Sequence, residues 1–406
     1  MLNSMTLNRA ALATAGFWLA CAIPVSVLVS IAASQILLGA ALLCLILSGT
    51  ALRLPPVRLP LALFIAGTVV AWLASGDLRA GLPQIRKFYV LLVLLVVYSA
   101  VRRVEQVRVV VLACAGVAAL SALLSFVQFW RMYRAAHGVY AALVGERITG
   151  FMSHWMTFGG EEMMVLLLAA AFVFFARAAR VERMVVLGAV VVLLVSMLLG
   201  LTRSVWLGTL AGGIYLIWIW RRVVILAIPV LLGASMLFVP VRERAASLIH
   251  PHGDTDSNQF RFVVWSTGLR MIRAHPWLGL GPEEPRIQFQ KYLSPDVPRP
   301  LPTGYYGHLH NVYLEYAAER GIPTMLFMLW LIAKVLVDCV RAIRRGVGDA
   351  NARFILHGAI AAIIGILVVG FAEYNLGDSE VLTLFLTTVA FAYVAVGRMR
   401  AIMDKC

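Results

Sequence analysis

Charged residues are scarce in this sequence, and acidic ones are the scarcest. Of 406 residues, 14% are charged, with 20 acidic against 35 basic side chains, whereas 61% are hydrophobic. A soluble domain is nearer half apolar and a quarter charged. A chain of this length and composition cannot bury its apolar surface in a core surrounded by water. The composition therefore excludes a soluble globular domain and predicts an integral membrane protein.

Cysteines are also few, and their spacing indicates neither disulfides nor metal binding. Five occur, four of them within apolar runs and Cys406 at the end of the chain. The sequence has no CxxC pair and no metal-ligand spacing, which argues against a disulfide framework and a zinc site. The first apolar run follows Arg9 without a small-residue cleavage site, so we interpret it as a retained membrane span. We find no internal repeat.

Long apolar runs recur along the whole chain. A membrane-spanning helix requires about 20 predominantly apolar residues, and by this criterion we predict an all-α polytopic membrane protein with about 12 transmembrane helices. The predicted spans lie near 12–31, 34–52, 59–75, 86–101, 107–130, 163–180, 183–201, 204–220, 223–241, 321–340, 354–373 and 380–397.

Basic residues cluster in every even-numbered connection between these spans. Cytoplasmic loops of membrane proteins carry the excess of Lys and Arg, so both termini are predicted to be cytoplasmic. The net charge of +15 follows largely from this pattern, and we expect no nucleic-acid partner. Nine spans are predicted in 1–241, with a smaller outer loop at about 131–162. A large outer loop fills 242–320, and three further spans with a short tail fill 321–406.

The large loop has the sequence features of folded structure. Ser257 is a predicted cap for a helix over 258–274, and the His275-Pro276 pair ends that helix. A second helical stretch, over 309–320, leads into the tenth span. Because loops this long in compact proteins are functional or disordered, and this one is not of low complexity, we expect it to carry function.

Three arginines on the outer side are candidates for binding. Arg203 lies between two strongly apolar spans, where a charged group is costly; its alternative role is an interfacial anchor. Arg261 lies in the loop helix, where the alternative is a solvated helix face. Arg147 lies in a Gly-Glu-Arg-Ile-Thr-Gly segment, and the alternative is an ion pair with Glu146 or Glu162.

A histidine pair precedes the second loop helix. Local chemistry alone does not distinguish His310 from His308, and a single histidine is more often structural than catalytic. A His-x-His pair also raises the question of a metal. However, Asp254, Asp256 and Glu283 have no ligand-like spacing to it, so no metal site is predicted.

Two motifs in the loop resemble the O-antigen ligase (WaaL) family of the larger Wzy/WaaL superfamily. The twelve-span arrangement, with its large periplasmic loop between spans nine and ten, is also similar and implies a GT-C-like membrane glycosyltransferase. The first motif is His310-Asn311, followed after nine residues by Gly321 and after two more by Thr324. The second motif is Arg261-Phe262-Val263-Val264-Trp265, followed by Pro276-Trp277-Leu278-Gly279-Leu280-Gly281.

The resemblance implies a reaction and assigns roles to residues. Family ligases transfer a glycan from undecaprenyl diphosphate to a sugar hydroxyl of lipid A–core at the periplasmic face of the bacterial inner membrane. By position, His310 matches the family's essential histidine, expected to be a general base, and Arg203 and Arg261 match its essential arginines. Arg147 is a third expected diphosphate ligand, from its motif context. Neither a metal nor a cofactor is implied, and inversion at the anomeric carbon is expected.

Other functions share parts of this pattern. O-antigen polymerases and protein O-oligosaccharyltransferases of the same superfamily have the same topology and similar loop motifs, so both stay open as alternatives. A glycolipid transporter fits less well, because transporters show repeats and polar residues near the bilayer midplane. Arg86 and Lys87 could contact phosphates or anchor the interface. Glu373 could orient the histidine or an arginine, and a structural ion pair is an equal alternative.

Overall fold

The computed structural model describes residues 2–137, 140–247, 258–297, 299–302, 304–345 and 349–403. Within these ranges the regular structure is entirely helical, with no strand. Short 3-10 segments occur at Lys87–Leu91, Arg222–Leu226 and Asn375–Gly377. The α-helices are α1 Leu2–Val27, α2 Ile31–Leu47, α3 Arg58–Ala74, α4 Leu78–Arg86, α5 Leu92–Ala100, α6 Val104–Ala135, α7 Tyr140–Gly145, α8 Trp155–Phe175, α9 Arg180–Leu199, α10 Arg203–Trp220, α11 Ala227–Ser235, α12 Val239–Ala246, α13 Asn258–Ala274, α14 Glu284–Ile287, α15 Phe289–Tyr292, α16 Val312–Arg345, α17 Ala350–Val369 and α18 Ser379–Met403.

The described residues include seven helices that are long and apolar enough to cross a membrane. An eighth is added if Arg222–Ser235 and Val239–Ala246, which are bent by 107°, count as one span. The prediction of a polytopic all-α membrane protein is therefore confirmed, whereas the number twelve stays a prediction. The seven are Asn8–Val27, Leu78–Ala100, Val104–Ala135, Trp155–Phe175, Arg180–Leu199, Ala350–Val369 and Ser379–Ile402.

Every predicted apolar run overlaps one or more helices, but the boundary of one run was placed too late. The run predicted from residue 163 begins at Trp155, so the outer connection before it is shorter than predicted. Hydropathy excluded Glu161 and Glu162 from the span. Both carboxyl groups are buried inside the helical bundle, with 2% and 3% of their surface exposed, so their polarity does not end the helix.

Three helices form the centre of the bundle. Within the most apolar windows of α8, α17 and α18, 83%, 78% and 83% of the residues are buried, against 28% for α9 at the periphery. Glycines let α10 approach α17 closely. A Cβ atom would lie 2.8 Å from the carbonyl oxygen of Gly365 if placed on Gly208, and 2.7 Å from that of Ala361 if placed on Gly212. Small residues at helix interfaces allow this packing in membranes.

The basic connections gather at one end of the bundle. Arg108 Nη1 donates a hydrogen bond to the carbonyl oxygen of Arg177, 2.9 Å away. Arg398 near the end of α18 forms a 3.0 Å ion pair with Asp349 at the start of α17. These contacts join the even-numbered connections to one another, as the predicted alternation of spans requires.

The odd-numbered connections meet at the other end. Gln84 Nε2 of α4 donates to Glu283 Oε1 of the large loop at 2.6 Å. Lys87 Nζ donates to the carbonyl oxygen of Gly377, in the connection between α17 and α18, at 3.2 Å. This end contains all the residues for which the sequence predicts chemistry.

The large loop is docked on a kink in α16. Gly321 has φ 80° and ψ 160°, which breaks the helix without ending it. At the kink, the backbone N–H of Ile322 donates to the carbonyl oxygen of Pro276 at 2.8 Å. A Cβ atom on Gly321 would lie 2.0 Å from the carbonyl oxygen of Trp277, so only glycine fits. The glycine of the first motif thus lies against the tryptophan of the second, and the residue after this glycine bonds to the proline.

The predicted loop helix is confirmed as α13, and it ends before His275 as the sequence indicates. Its proposed cap, Ser257, lies outside the described residues. The buried face of the helix includes Phe260 and Val264, which belong to a small apolar cluster with Leu309. This cluster fixes α13 against the turn that carries His310.

Candidate active site

His310 is buried in the turn between the large loop and α16. Its side chain is 8% exposed, and its two ring nitrogens face two different acceptors. Nδ1 lies 3.4 Å from Glu373 Oε2, and Nε2 lies 3.0 Å from the carbonyl oxygen of Tyr305. A neutral imidazole has only one N–H to donate, whereas both contacts require a donor on the ring. When the single N–H is on Nδ1 it donates to Glu373, which leaves Nε2 as the nitrogen that can accept a proton.

The backbone of this turn is held in a conformation that side chains rarely adopt. His310 has φ 48°, in the left-handed region. Its own N–H donates to His308 Nδ1 at 3.2 Å, and the N–H of Leu309 donates to Glu315 Oε2 at 2.5 Å. The Asn311 side chain accepts two backbone N–H groups of the first turn of α16, each at 3.0 Å. These bonds from three side chains fix the position of His310.

Glu373 connects His310 to an arginine of the large loop. It accepts a 2.7 Å ion-pair bond from Arg261 Nη2 and lies within 3.5 Å of the Ser204 hydroxyl. Burial alone would raise the pKa of Glu373, but the hydrogen bond with His310 and the charge of Arg261 outweigh burial and lower the pKa below its usual value. Glu373 is therefore an anion at neutral pH, held between the His310 ring and the Arg261 guanidinium.

Two further arginines lie where α10 begins. Arg203 is the first residue of that helix and is 6% exposed, so it does not reach a surface as an interfacial anchor would. Its Nη1 donates to the carbonyl and hydroxyl oxygens of Ser247, at 3.2 and 3.0 Å. Arg244 on α12 is 2% exposed and donates through Nε to the carbonyl oxygen of Leu201 at 2.9 Å.

Arg147 completes the group of arginines. Its Nη1 lies 3.5 Å from Thr202 Oγ1, and its guanidinium stacks over the Trp155 ring at 5.3 Å. Burial, followed by the charge of Arg244, lowers the pKa of Arg147 to about 9, with smaller contributions from Arg261 and Arg203. The group remains protonated at neutral pH. Its lowered pKa reflects burial first and then repulsion from guanidinium groups that are held close to it.

The structure thus gathers all four residues that the sequence singled out. His310 and Arg261 share Glu373 directly, while Arg203 and Arg147 adjoin this network through the first residues of α10 and through their charge. Arg147 forms an ion pair with neither Glu146 nor Glu162, the partners considered for it. Four chain segments contribute, and their meeting depends on the packing of α10, α13 and α17.

A polar cavity of about 250 Å³ opens beside His308 and Glu373. Its walls come from α4, the start of α8, the large loop and the connection between α17 and α18. The polar residues that line it are Gln84, Lys87, His154, Thr202, Glu283, Arg286, Tyr305, His308, Glu315, Glu319, Glu373, Tyr374, Asn375 and Asp378.

His308 differs clearly from His310. Burial, followed by the charge of His310, lowers the pKa of His308 to about 3, so the ring is neutral at neutral pH. Its Nδ1 accepts the backbone N–H of His310, which places the ring proton on Nε2. Its contacts give His308 a structural role in the turn, which local sequence chemistry did not distinguish from a catalytic one.

Sequence reasoning missed or left open several members of the network. The sequence suggested that Glu373 orients the histidine or an arginine, or forms a structural ion pair. In the structure it contacts both His310 and Arg261. Arg244, Tyr305 and Glu315 were not identified. Glu315 had a signal, because a carboxylate in the first turn of a helix suits the N–H groups there. Tyr305 contacts His310 through its main-chain oxygen, and such a contact leaves no pattern of side chains in the sequence.

Within the described ranges, no group of three or more His, Cys, Asp or Glu side chains is arranged to hold a metal ion. The metal-free mechanism remains a prediction.

Comparison with known proteins identifies part of the chain. Residues 188–329 match the family described as O-Antigen ligase, and a search of curated proteins finds no significant match. The matched segment runs from α9 to the first half of α16. It includes Arg203, Arg261 and His310, together with both motifs on which the predicted resemblance rests. Over this segment the chain is similar to the O-Antigen ligase family, in agreement with the resemblance predicted from its motifs.

Proposed function

We propose that this protein is an O-antigen ligase that transfers a glycan from undecaprenyl diphosphate to a sugar hydroxyl of lipid A–core. The observation that carries the proposal is Glu373, which links His310 to Arg261 beside the arginines at the start of α10. A proton-accepting ring and a group of guanidiniums in one buried site suit a transfer in which a hydroxyl attacks and a diphosphate leaves. Neither a metal nor a cofactor takes part.

The arginines would bind the donor diphosphate. Guanidinium groups offer planar pairs of N–H donors that match phosphate oxygens, and each such contact is worth about 1.5–3 kcal/mol. The repulsion that lowers the pKa of Arg147 would fall when an anion binds among Arg147, Arg203 and Arg261. Because negative charge grows on the diphosphate as it leaves, these contacts would strengthen in the transition state.

His310 would accept the proton of the acceptor hydroxyl. The hydroxyl oxygen forms a bond to the anomeric carbon while the bond from that carbon to the diphosphate oxygen breaks. The hydroxyl proton passes to His310 Nε2, the electron pair leaves with the diphosphate, and the anomeric configuration inverts. Nε2 now contacts the carbonyl oxygen of Tyr305. The acceptor hydroxyl must take that place, and Glu373 on Nδ1 stabilises the imidazolium that forms.

The proposed location is the periplasmic face of the inner membrane, with both termini in the cytoplasm. The connections rich in arginine lie at the end of the bundle opposite His310, and cytoplasmic loops carry such an excess, which supports this orientation.

A reconstituted transfer assay tests the proposal. The purified protein is mixed with undecaprenyl-diphosphate-linked glycan, with and without lipid A–core, alongside the His310→Ala variant. We expect the intact protein to place glycan on lipid A–core, and we expect the rate of this transfer to fall about 10²–10⁴-fold in the variant. Longer lipid-linked chains made without lipid A–core would instead identify a polymerase. Transfer only to added protein would identify an oligosaccharyltransferase.

A further inference from the structure

A second charged cavity lies at the end of the bundle opposite His310. It measures about 370 Å³ and is lined by four arginines and one acidic residue, Glu105. The four come from three separate parts of the chain: the connection between α2 and α3, the connection between α5 and α6, and the end of α18. They are Arg53, Arg102, Arg103 and Arg398.

The backbone is held in position by side chains at two of these three places. The Arg53 N–H donates to the hydroxyl of Ser99 at 2.8 Å, and Ser99 is fully buried. The N–H groups of Arg102 and Arg103 both donate to Gln106 Oε1, at 2.9 and 3.0 Å. These bonds fix the backbone positions from which the arginine side chains extend around the cavity. The excess of arginine that is usual in cytoplasmic loops would place arginines at this end of the bundle, but it would not bring them together around one cavity.

The charge of the arginines is only partly balanced. Arg398 uses Nε in its ion pair with Asp349, at 3.0 Å. Arg102 Nε donates to the carbonyl oxygen of Ser99, at 3.1 Å. Among the described residues, neither Arg53 nor Arg103 forms an ion pair. The cavity therefore presents several guanidinium groups to any anion that enters it.

The floor of the cavity is apolar. It is formed by Val101 and Val104, which are 0% and 1% exposed, and by Val394 on α18, which is 6% exposed. A ligand with phosphate at one end and hydrocarbon at the other would satisfy both parts of the lining. The volume lies within the range of about 300–1,000 Å³ that is usual for small-molecule sites.

We propose that this cavity binds the headgroup of an anionic phospholipid from the leaflet at that end of the protein. The phosphate lies between Arg53 and Arg103 with Arg102 and Arg398 beside it, and the glycerol and first acyl carbons lie on the valine floor. Basic pockets between transmembrane helices bind anionic headgroups in this way. A lipid is favoured over free phosphate because the cavity lies at the ends of α5, α6 and α18 and has an apolar floor.

The test measures binding of phosphatidylglycerol to the purified full-length protein in neutral detergent micelles. Native mass spectra count bound phosphatidylglycerol, and melting temperatures are compared between micelles doped with phosphatidylglycerol and with phosphatidylcholine. The variant is Arg53→Gln/Arg103→Gln. The control, Arg177→Gln/Arg180→Gln, removes the same charge from exposed arginines just before and at the start of α9, at the same end of the bundle.

We expect the first pair of substitutions to weaken phosphatidylglycerol binding about tenfold or more, because each removes a charge-assisted contact to phosphate. The control should change binding less than about twofold. Equal losses in both variants would show that net charge alone attracts the lipid, and no loss in the first would place the lipid elsewhere. Either result overturns the proposal.

An arm with inorganic phosphate separates the two sources of the anion. If inorganic phosphate at the concentration of the lipid raises the melting temperature equally, the site recognises phosphate alone, and the lipid assignment is wrong. Melting in phosphatidylcholine micelles checks that each variant is folded. Should the double variant fail this check, Arg103→Gln alone gives the same comparison against Arg180→Gln.

Discussion

Replacing Glu373 with glutamine should disable the proposed base without weakening donor binding. The carboxylate now takes a 2.7 Å bond from Arg261 and lies 3.4 Å from His310 Nδ1. The glutamine amide has one oxygen and one NH₂ group. With its oxygen toward Arg261, the NH₂ group faces His310, and Nδ1 must then be the unprotonated nitrogen. The ring proton moves to Nε2, the atom that should receive the proton of the acceptor.

The size of the effect follows from this change of tautomer. General-base catalysis contributes about 10²–10⁴-fold, so Glu373→Gln should lower kcat by that order. The donor KM should not rise, because the substitution removes a negative charge from a site of guanidiniums that bind a diphosphate. Stability should fall by about 1–3 kcal/mol, since the ion pair with Arg261 becomes a hydrogen bond to an uncharged amide.

The assay is steady-state transfer with the donor and the acceptor varied in turn, and melting temperatures monitor folding. Glu146→Gln is the matched control, because it makes the same substitution at an exposed position next to Arg147, outside the cavity lining. A Glu373→Gln enzyme that keeps more than half of the kcat would refute the reasoning. So would a rise in donor KM at unchanged kcat, or an equal loss in the control.

Four further predictions concern single features of the structure. Arg203→Lys and Arg261→Lys should each lower kcat/KM for the donor about tenfold or more, because a point charge cannot replace the planar fork; full activity would contradict diphosphate binding. His308 has a folded-state pKa near 3 against an ordinary value of 6.5, so the stability that it contributes above pH 6.5 should be lost as the pH falls toward 3. In melting curves, His308→Asn should flatten this dependence while keeping an acceptor for the backbone N–H, and an unchanged pH profile would contradict the assignment. Gly321→Ala should lower the melting temperature sharply, because its Cβ would lie 2.0 Å from a backbone oxygen, whereas Gly116→Ala, which meets nothing within 4 Å, should be tolerated. Transfer by the reconstituted enzyme should be unchanged in excess chelator, and loss of activity that divalent ions restore would refute the metal-free mechanism.

The membrane class and most of the helices could be predicted from the sequence, because the requirement behind them is local. Lipid provides no hydrogen bonds to the backbone, so each span must be a continuous apolar helix, and hydropathy detects it. The helix α13 was predicted from its apolar positions and from the His275-Pro276 pair that follows it. The boundary at Trp155 was misplaced because Glu161 and Glu162 are buried, and hydropathy cannot detect what surrounds a polar group.

The candidate site shows the same division between local and non-local information. The motifs indicated His310, Arg203 and Arg261 as separate candidates but gave no relation among them. Glu373 is 63 residues from His310 and 112 from Arg261, and no spacing rule connects positions so far apart. Their contact exists because α13 packs against the turn before α16 and because α17 ends beside both.

The sequence by itself determined that this protein is a membrane protein, where its helices form and which residues are candidates for its site. These properties depend on residue chemistry and on neighbours along the chain. Only the tertiary structure decided that His308 supports a backbone turn while His310 faces a carboxylate, and that arginines from four segments share one buried site. Both results depend on which groups packing brings within hydrogen-bond distance and on how far it excludes water from them.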